Sequence, residues 1–206
     1  MNQGRTSIRC LTLGTALLLV ACAHEKAQIS PEVTSGLTQV RAQAVQIKQQ
    51  LSVTNDSARA LSKSSGTELP TALDATSANL DSLNASLGLQ RQTVSTVQEQ
   101  VAAYFAHWDR ETGVMSDEMQ KASQKRQAQA AASFESLRAS IGDVRTGLSK
   151  YLSDMSEIVA YLRTDQTPAG LHAVSSRLSE TIAGEPPIQR NLDAVISKID
   201  AIQSTK

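Results

Sequence analysis

Aromatic residues are scarce: one Trp, two Phe and three Tyr, or 3% of 206 residues. Compact cores usually lean on large aromatic side chains, so this one must be assembled from Leu, Val, Ile and Ala. Glycine and proline are also sparse, at ten and five. Long stretches therefore carry no breaker, which favours long helices over a sheet. Neither sign of charge is in excess, with 20 basic and 20 acidic residues. That excludes the basic footprint of a nucleic-acid binder and the polybasic patch that grips anionic lipid. A membrane-spanning run is missing too. The apolar run CLTLGTALLLV, residues 10–20, falls well short of the ~20 residues a spanning helix needs. Only two cysteines occur, Cys10 and Cys22.

What is present begins with the first 22 residues. MNQGRTSIR carries Arg5 and Arg9 and no acid, and the short apolar run follows it. This order is that of a secretory signal. Leu19-Val20-Ala21-Cys22 resembles the lipobox of bacterial lipoproteins. The resemblance implies cleavage between Ala21 and Cys22, a diacylglyceryl group on the Cys22 thiol, and acylation of its new amino group. A thiolate suits that chemistry as the best nucleophile among side chains. Ala23 follows the cysteine where an Asp would imply inner-membrane retention. The expected location is thus the bacterial envelope, lipid-anchored, at the periplasmic face of the outer membrane. Cys10 would leave with residues 1–21, so no disulfide and no cysteine-based metal site is expected. The mature chain would hold 18 basic and 20 acidic residues.

From Val33 onward the apolar residues keep a heptad rhythm. The first tract is Val33, Leu37, Val40, Ala44, Ile47, Leu51, Thr54, Ala58 and Leu61, with steps alternating four and three. It ends near Gly66, where a left-handed cap is expected. Thr67 is the expected cap of the next helix, with Pro70 in its first turn. The second tract runs Leu73, Thr76, Leu80, Leu83, Leu87, Gln90, Val94, Val97, Val101, Tyr104, Trp108, and Gly113 breaks it. Ser116 is the expected third cap. The third tract starts raggedly at Met115, Met119 and Ala122. It becomes regular from Phe134 through Leu137, Ile141, Val144, Leu148, Tyr151, Met155 and Ile158 to Leu162. The fourth starts at Thr167-Pro168 and runs Leu171, Val174, Leu178. After GEPP it resumes in the same phase at Ile188, Leu192, Val195, Ile199 and Ile202. A kinked helix facing one partner throughout is expected there.

These tracts predict an all-α fold: an elongated antiparallel bundle or coiled coil of about four long helices. The helices fall near 32–64, 70–111, 116–163 and 168–205, in a bundle covering 32–206. Residues 22–31 form a lipidated tether.

Candidate chemistry concentrates in AYFAHWDRE, residues 103–111. Tyr104, Phe105 and Trp108 crowd one side of a helix and form the candidate contact surface. His107 and Glu111 share a face, yet a zinc site needs three or four ligands, so neither metal nor cofactor is expected. His24 and His172 sit in no motif. Neither GxSxG nor GxxxxGK occurs, and an enzyme is not expected. The C-terminal Lys206, with a lipobox and a heptad rod, resembles the murein lipoprotein family. That resemblance implies an amide link from Lys206 to peptidoglycan, although the tail Ser204-Thr205-Lys206 departs from the family's aromatic-basic pattern.

VAAYFAHWDRE, MQKAS (119–123) and AYLRTDQTPAGLHAV (160–174) resemble an uncharacterised bacterial family, domain of unknown function twenty-nine fifty-nine. The matched residues include Phe105, Trp108, Ser123 and Leu162. The resemblance covers about half the chain and implies a helical coiled-coil lipoprotein without an assigned activity. Arg163-Thr164-Asp165-Gln166-Thr167 departs from the Lys-His-Asn-Leu-Asn run of that family. The functional expectation is a structural or interaction module, a scaffold or adaptor. Its partners would be the membrane, through the lipid, and an envelope protein or a second copy. The alternatives are a tether to peptidoglycan and a ligand or metal binder.

Overall fold

The structure, a computed structural model, describes residues 29–204. The expected signal peptide, Ala21, Cys22, His24 and Lys206 lie outside the described residues. Helix α1 spans Pro31–Lys63, α2 Glu68–Gly113, α3 Asp117–Thr164, α4 Pro168–Ala183 and α5 Glu185–Ser204. The α4–α5 pair acts as one interrupted helix, so the architecture is the expected four-helix bundle. Pro31 starts α1 and does not belong to the preceding segment, because Ser30 Oγ accepts from Val33 N at 3.3 Å and caps the helix.

Short connections force each helix back against its predecessor. Helix α1 packs on α2 and on α4–α5, and α3 packs on the same two neighbours. Gln43 of α1 bonds Thr93 of α2, while Gln50 reaches Asn79, so the order of contacts runs backwards along α2. Arg41–Asp200 and Lys48–Asp193 show the same reversal against α5. The bundle is therefore up-down-up-down. Helix α3, at 48 residues, extends about 70 Å.

Most heptad positions are the core. Every residue of the first tract is buried, Thr54 included. Thr54 stays satisfied because its hydroxyl donates to Gln50 O at 2.7 Å and Asn79 O at 3.2 Å. Gly66 takes φ +52°, as its place between two helices anticipates. Two expected caps form no side-chain bond. Thr67 is itself in the helical region, and Ser116 contributes only its carbonyl, which accepts from Gln120 N at 2.8 Å. Thr167 does cap α4, accepting from Gly170 N at 3.1 Å.

The interruption in the fourth tract is narrower than its sequence suggests. Only Gly184 leaves the helix. Pro186 and Pro187 occupy the first turn of α5, where their missing N–H groups break no helical bond. Thr181 and Glu185 are buried and continue the three-four spacing between Leu178 and Ile188. The seam is thus unbroken, and two of its positions are polar.

Candidate contact surface at the α2–α3 hairpin

Helices α2 and α3 outrun the rest of the bundle. Gly36, near the start of α1, already meets Val97 and Gln100 of α2. Gln203, near the end of α5, bonds Thr34 and Thr38. Beyond these points α2 and α3 continue as a two-helix hairpin. From Phe105 to Gly113 it projects about 13 Å. Between Phe105 and Ser133 the buried residues are Thr112 and Ser123 alone.

The aromatic residues stand at the neck of this hairpin. Tyr104 meets Phe105 edge-on at 5.2 Å and Trp108 edge-on at 5.6 Å. Phe105 and Trp108 lie nearly parallel, 9° apart, with centroids at 6.3 Å. Phe105 also meets Phe134 of α3 edge-on at 5.9 Å. Such pairs add about 0.5–1.5 kcal/mol beyond burial. Tyr104, Phe105 and Trp108 are all half-buried. Partial burial pushes the Tyr104 phenol above its ordinary range. The three rings therefore brace the hairpin and still meet solvent.

The inner face of the hairpin is polar. Trp108 Nε1 donates to Ser123 Oγ at 2.7 Å, and Thr112 Oγ1 lies 2.9 Å from the same oxygen. Gln127 Nε2 donates to Asp109 Oδ1 at 2.6 Å on the rim. The inward positions of α3 here are Gln120, Ser123, Gln127, Ala130 and Phe134. This corrects the ragged tract Met115, Met119, Ala122. Met119 is 57% exposed, since among the described residues no third helix lies there to receive it. Ser123 was invisible to a search for apolar residues, although it keeps the three-four spacing back from Phe134. At the tip, Val114 is 85% exposed.

His107 Nε2 lies 3.9 Å from Glu111 Oε1, and both side chains are open to solvent. Among the described residues, no group of three or more His, Cys, Asp or Glu is placed to hold a metal ion. His172 sits exposed on α4, away from this pair. No described helix is long and apolar enough to cross a membrane.

No protein-family model matches the chain, and no curated protein or solved structure does either.

Proposed function

We propose that the protein is a lipid-anchored envelope lipoprotein that acts as an interaction module, a scaffold or adaptor. The observation that carries this reading is a shared end. The start of α1, which follows the Cys22 tether, lies at the same end of the bundle as the aromatic hairpin. An anchor at Cys22 would therefore present Tyr104, Phe105 and Trp108 close to the membrane, with the long body standing away from it. Residues 23–30 can span at most about 27 Å, so the hairpin would work near the lipid surface. Membership of the coiled-coil lipoprotein family is part of this proposal. Its support is that Trp108 and Ser123, two of the residues on which that resemblance rests, join in one bond.

The peptidoglycan-tether reading gains nothing from the arrangement. Gln203, three residues before Lys206, bonds Thr34 at 3.1 Å. The length of the rod therefore does not separate the start of α1 from the end of α5, as a tie between membrane and wall would favour.

The test is to express the full chain and a Cys22→Ala variant in a diderm bacterium, fractionate the envelope and weigh the protein. An acylated mass and outer-membrane partition, both lost in the variant, are expected. Photo-crosslinkers at Tyr104 and Val114 should then capture a discrete partner. An unacylated, soluble wild type would refute the anchor. Absence of crosslinks above those from an exposed site at the far end, such as Ala169, would refute the contact surface.

A further inference from the structure

The seam between α2 and α3 is not closed along its whole length. Val94, Val101 and Ile141 occupy heptad positions but remain only half-buried, unlike the other apolar seam residues of the four-helix body on these two helices. Two cavities of about 480 and 610 Å³ lie along this line and share Val94, Gln98, Glu135, Arg138 and Ile141. Together they form one trough, from Phe105 and Phe134 at the hairpin neck to Leu87 and Leu148 inside the body. Eighteen helical steps of α2 make it about 27 Å long. It deepens to Leu37 and Val40 of α1. The cause is local. Ser95 and Ala102 on α2, with Ala131, Ala139 and Gly142 on α3, form its lips, and none is large enough to cover the floor. A Cβ added at Gly142 would meet nothing within 4 Å.

The rim is cationic. Arg91, Arg138 and Arg145 line it against a single acid, Glu135. Arg138 is paired with Glu135 at 2.7 Å. Arg91 and Arg145 have no hydrogen-bond or ion-pair partner among the described residues, although they stand on the two opposite walls. An apolar floor under unpaired guanidinium groups selects a ligand with one alkyl chain and an anionic head.

We infer that the α2–α3 trough binds a single-chain anionic amphiphile, with the alkyl chain on Val94, Val101, Phe134 and Ile141 and the head between Arg91 and Arg145. A carboxylate or a phosphate head would satisfy the same pair of cations. This site adjoins the aromatic contact surface at Phe105 and does not depend on the anchor at Cys22.

The test is calorimetric titration of the full-length chain with laurate, below its micelle concentration and without detergent. Dodecyltrimethylammonium serves as the control of equal chain and opposite charge. Saturable binding of one laurate per chain is expected, at least tenfold tighter than the cation. Arg91→Glu with Arg145→Glu should weaken it at least tenfold, and Gly142→Trp, which fills the trough from an exposed position, should abolish it. Circular dichroism checks that each variant remains helical; the paired charge reversals lie on exposed side chains and provide the second arm. Absence of saturable binding, equal affinity for the cation, or unchanged binding in Gly142→Trp overturns the inference. So does a wild-type dimer in sedimentation that Gly142→Trp dissociates, because the trough would then receive a second copy.

Discussion

Asn55 Nδ2 donates to Glu185 Oε2 at 2.8 Å, joining residues 130 positions apart inside the bundle. Tyr151 Oη donates to Asn55 Oδ1 at 3.3 Å, and Gln189 Nε2 donates to Glu185 Oε1 at 2.8 Å. Arg59 approaches the same carboxylate at 3.6 Å. The group ties α1, α3 and α5 together beside Gly184. A carboxylate taken out of water needs such partners, and apolar packing alone would not specify this register.

Asn55→Ala removes one donor from a buried carboxylate and the acceptor from Tyr151. The expected loss is about 2–3 kcal/mol, read by urea unfolding. Replacing Asn55 and Glu185 together with Leu should cost less than the single change, because no charge is then left stranded. A single variant as stable as wild type would show that the network does not hold the bundle.

Alkaline pH should strain the same cluster. Burial holds the Tyr151 hydroxyl well above the ordinary value of 10.0, with the nearby Glu185 adding to the effect. A raised folded-state pKa means that the stabilisation is complete below pH 10 and is lost as pH climbs toward the folded value. Stability should therefore fall as pH rises above about 10, and Tyr151→Phe should flatten that fall. An identical slope in the variant would assign the alkaline loss to other groups. On the acid side, Lys150 and then Arg177 hold Asp154 below its ordinary value of 3.8. Its contribution is present above that value and fades as pH drops further.

Gly36 and Gly88 make a matched pair of substitutions. A Cβ on Gly36 would come within 2.5 Å of Val97 Cγ2, whereas one on Gly88 would meet nothing within 4 Å. Gly36→Ala should destabilise by about 1–3 kcal/mol through overpacking. Gly88→Ala should stabilise by about 0.4–1 kcal/mol, since the unfolded chain loses freedom and the helix loses nothing. Thermal melts of both variants check the signs. Destabilisation of equal size in the two would mean that α1 and α2 do not approach closely at Gly36.

Ser123→Ala removes the acceptor of the Trp108 indole. The expected cost is about 0.5–1.5 kcal/mol, confined to the hairpin. Hydrogen exchange of the Trp108 indole N–H should quicken, while amides of α1 keep their protection. An unaltered indole exchange rate would place the Trp108 bond outside the hairpin's stabilisation.

Much of this fold is legible from spacing. The first tract lists the buried face of α1, and Tyr151 was found among core positions by its register alone. Glu185 was not. In sequence it belongs to a helix-breaking GEPP segment, and only its phase relative to Leu178 and Ile188 marks it as inward. Asn55 lies next to the seam residue Thr54, so nothing local distinguishes it from a solvated neighbour. Of the candidate surface, the three aromatic rings were visible as a cluster. Ser123, their polar counterpart, stands out only through the family resemblance, because an apolar pattern does not register a serine as inward-facing.

By itself the sequence determined the helices, their buried stripes and their short turns, because these follow from 3.6-residue periodicity and local breakers acting within a few residues. It also carries Leu19-Val20-Ala21-Cys22, which resembles a lipobox and lies outside the described residues. The tertiary structure alone decided that α2 and α3 outrun their neighbours, so that the aromatic hairpin stands at the end where α1 begins. It alone turned Glu185 toward Asn55 and left the trough open between Arg91 and Arg145. These depend on which stripe meets which, and on how small residues on two distant segments line up. Contacts between residues a hundred positions apart have no local signature.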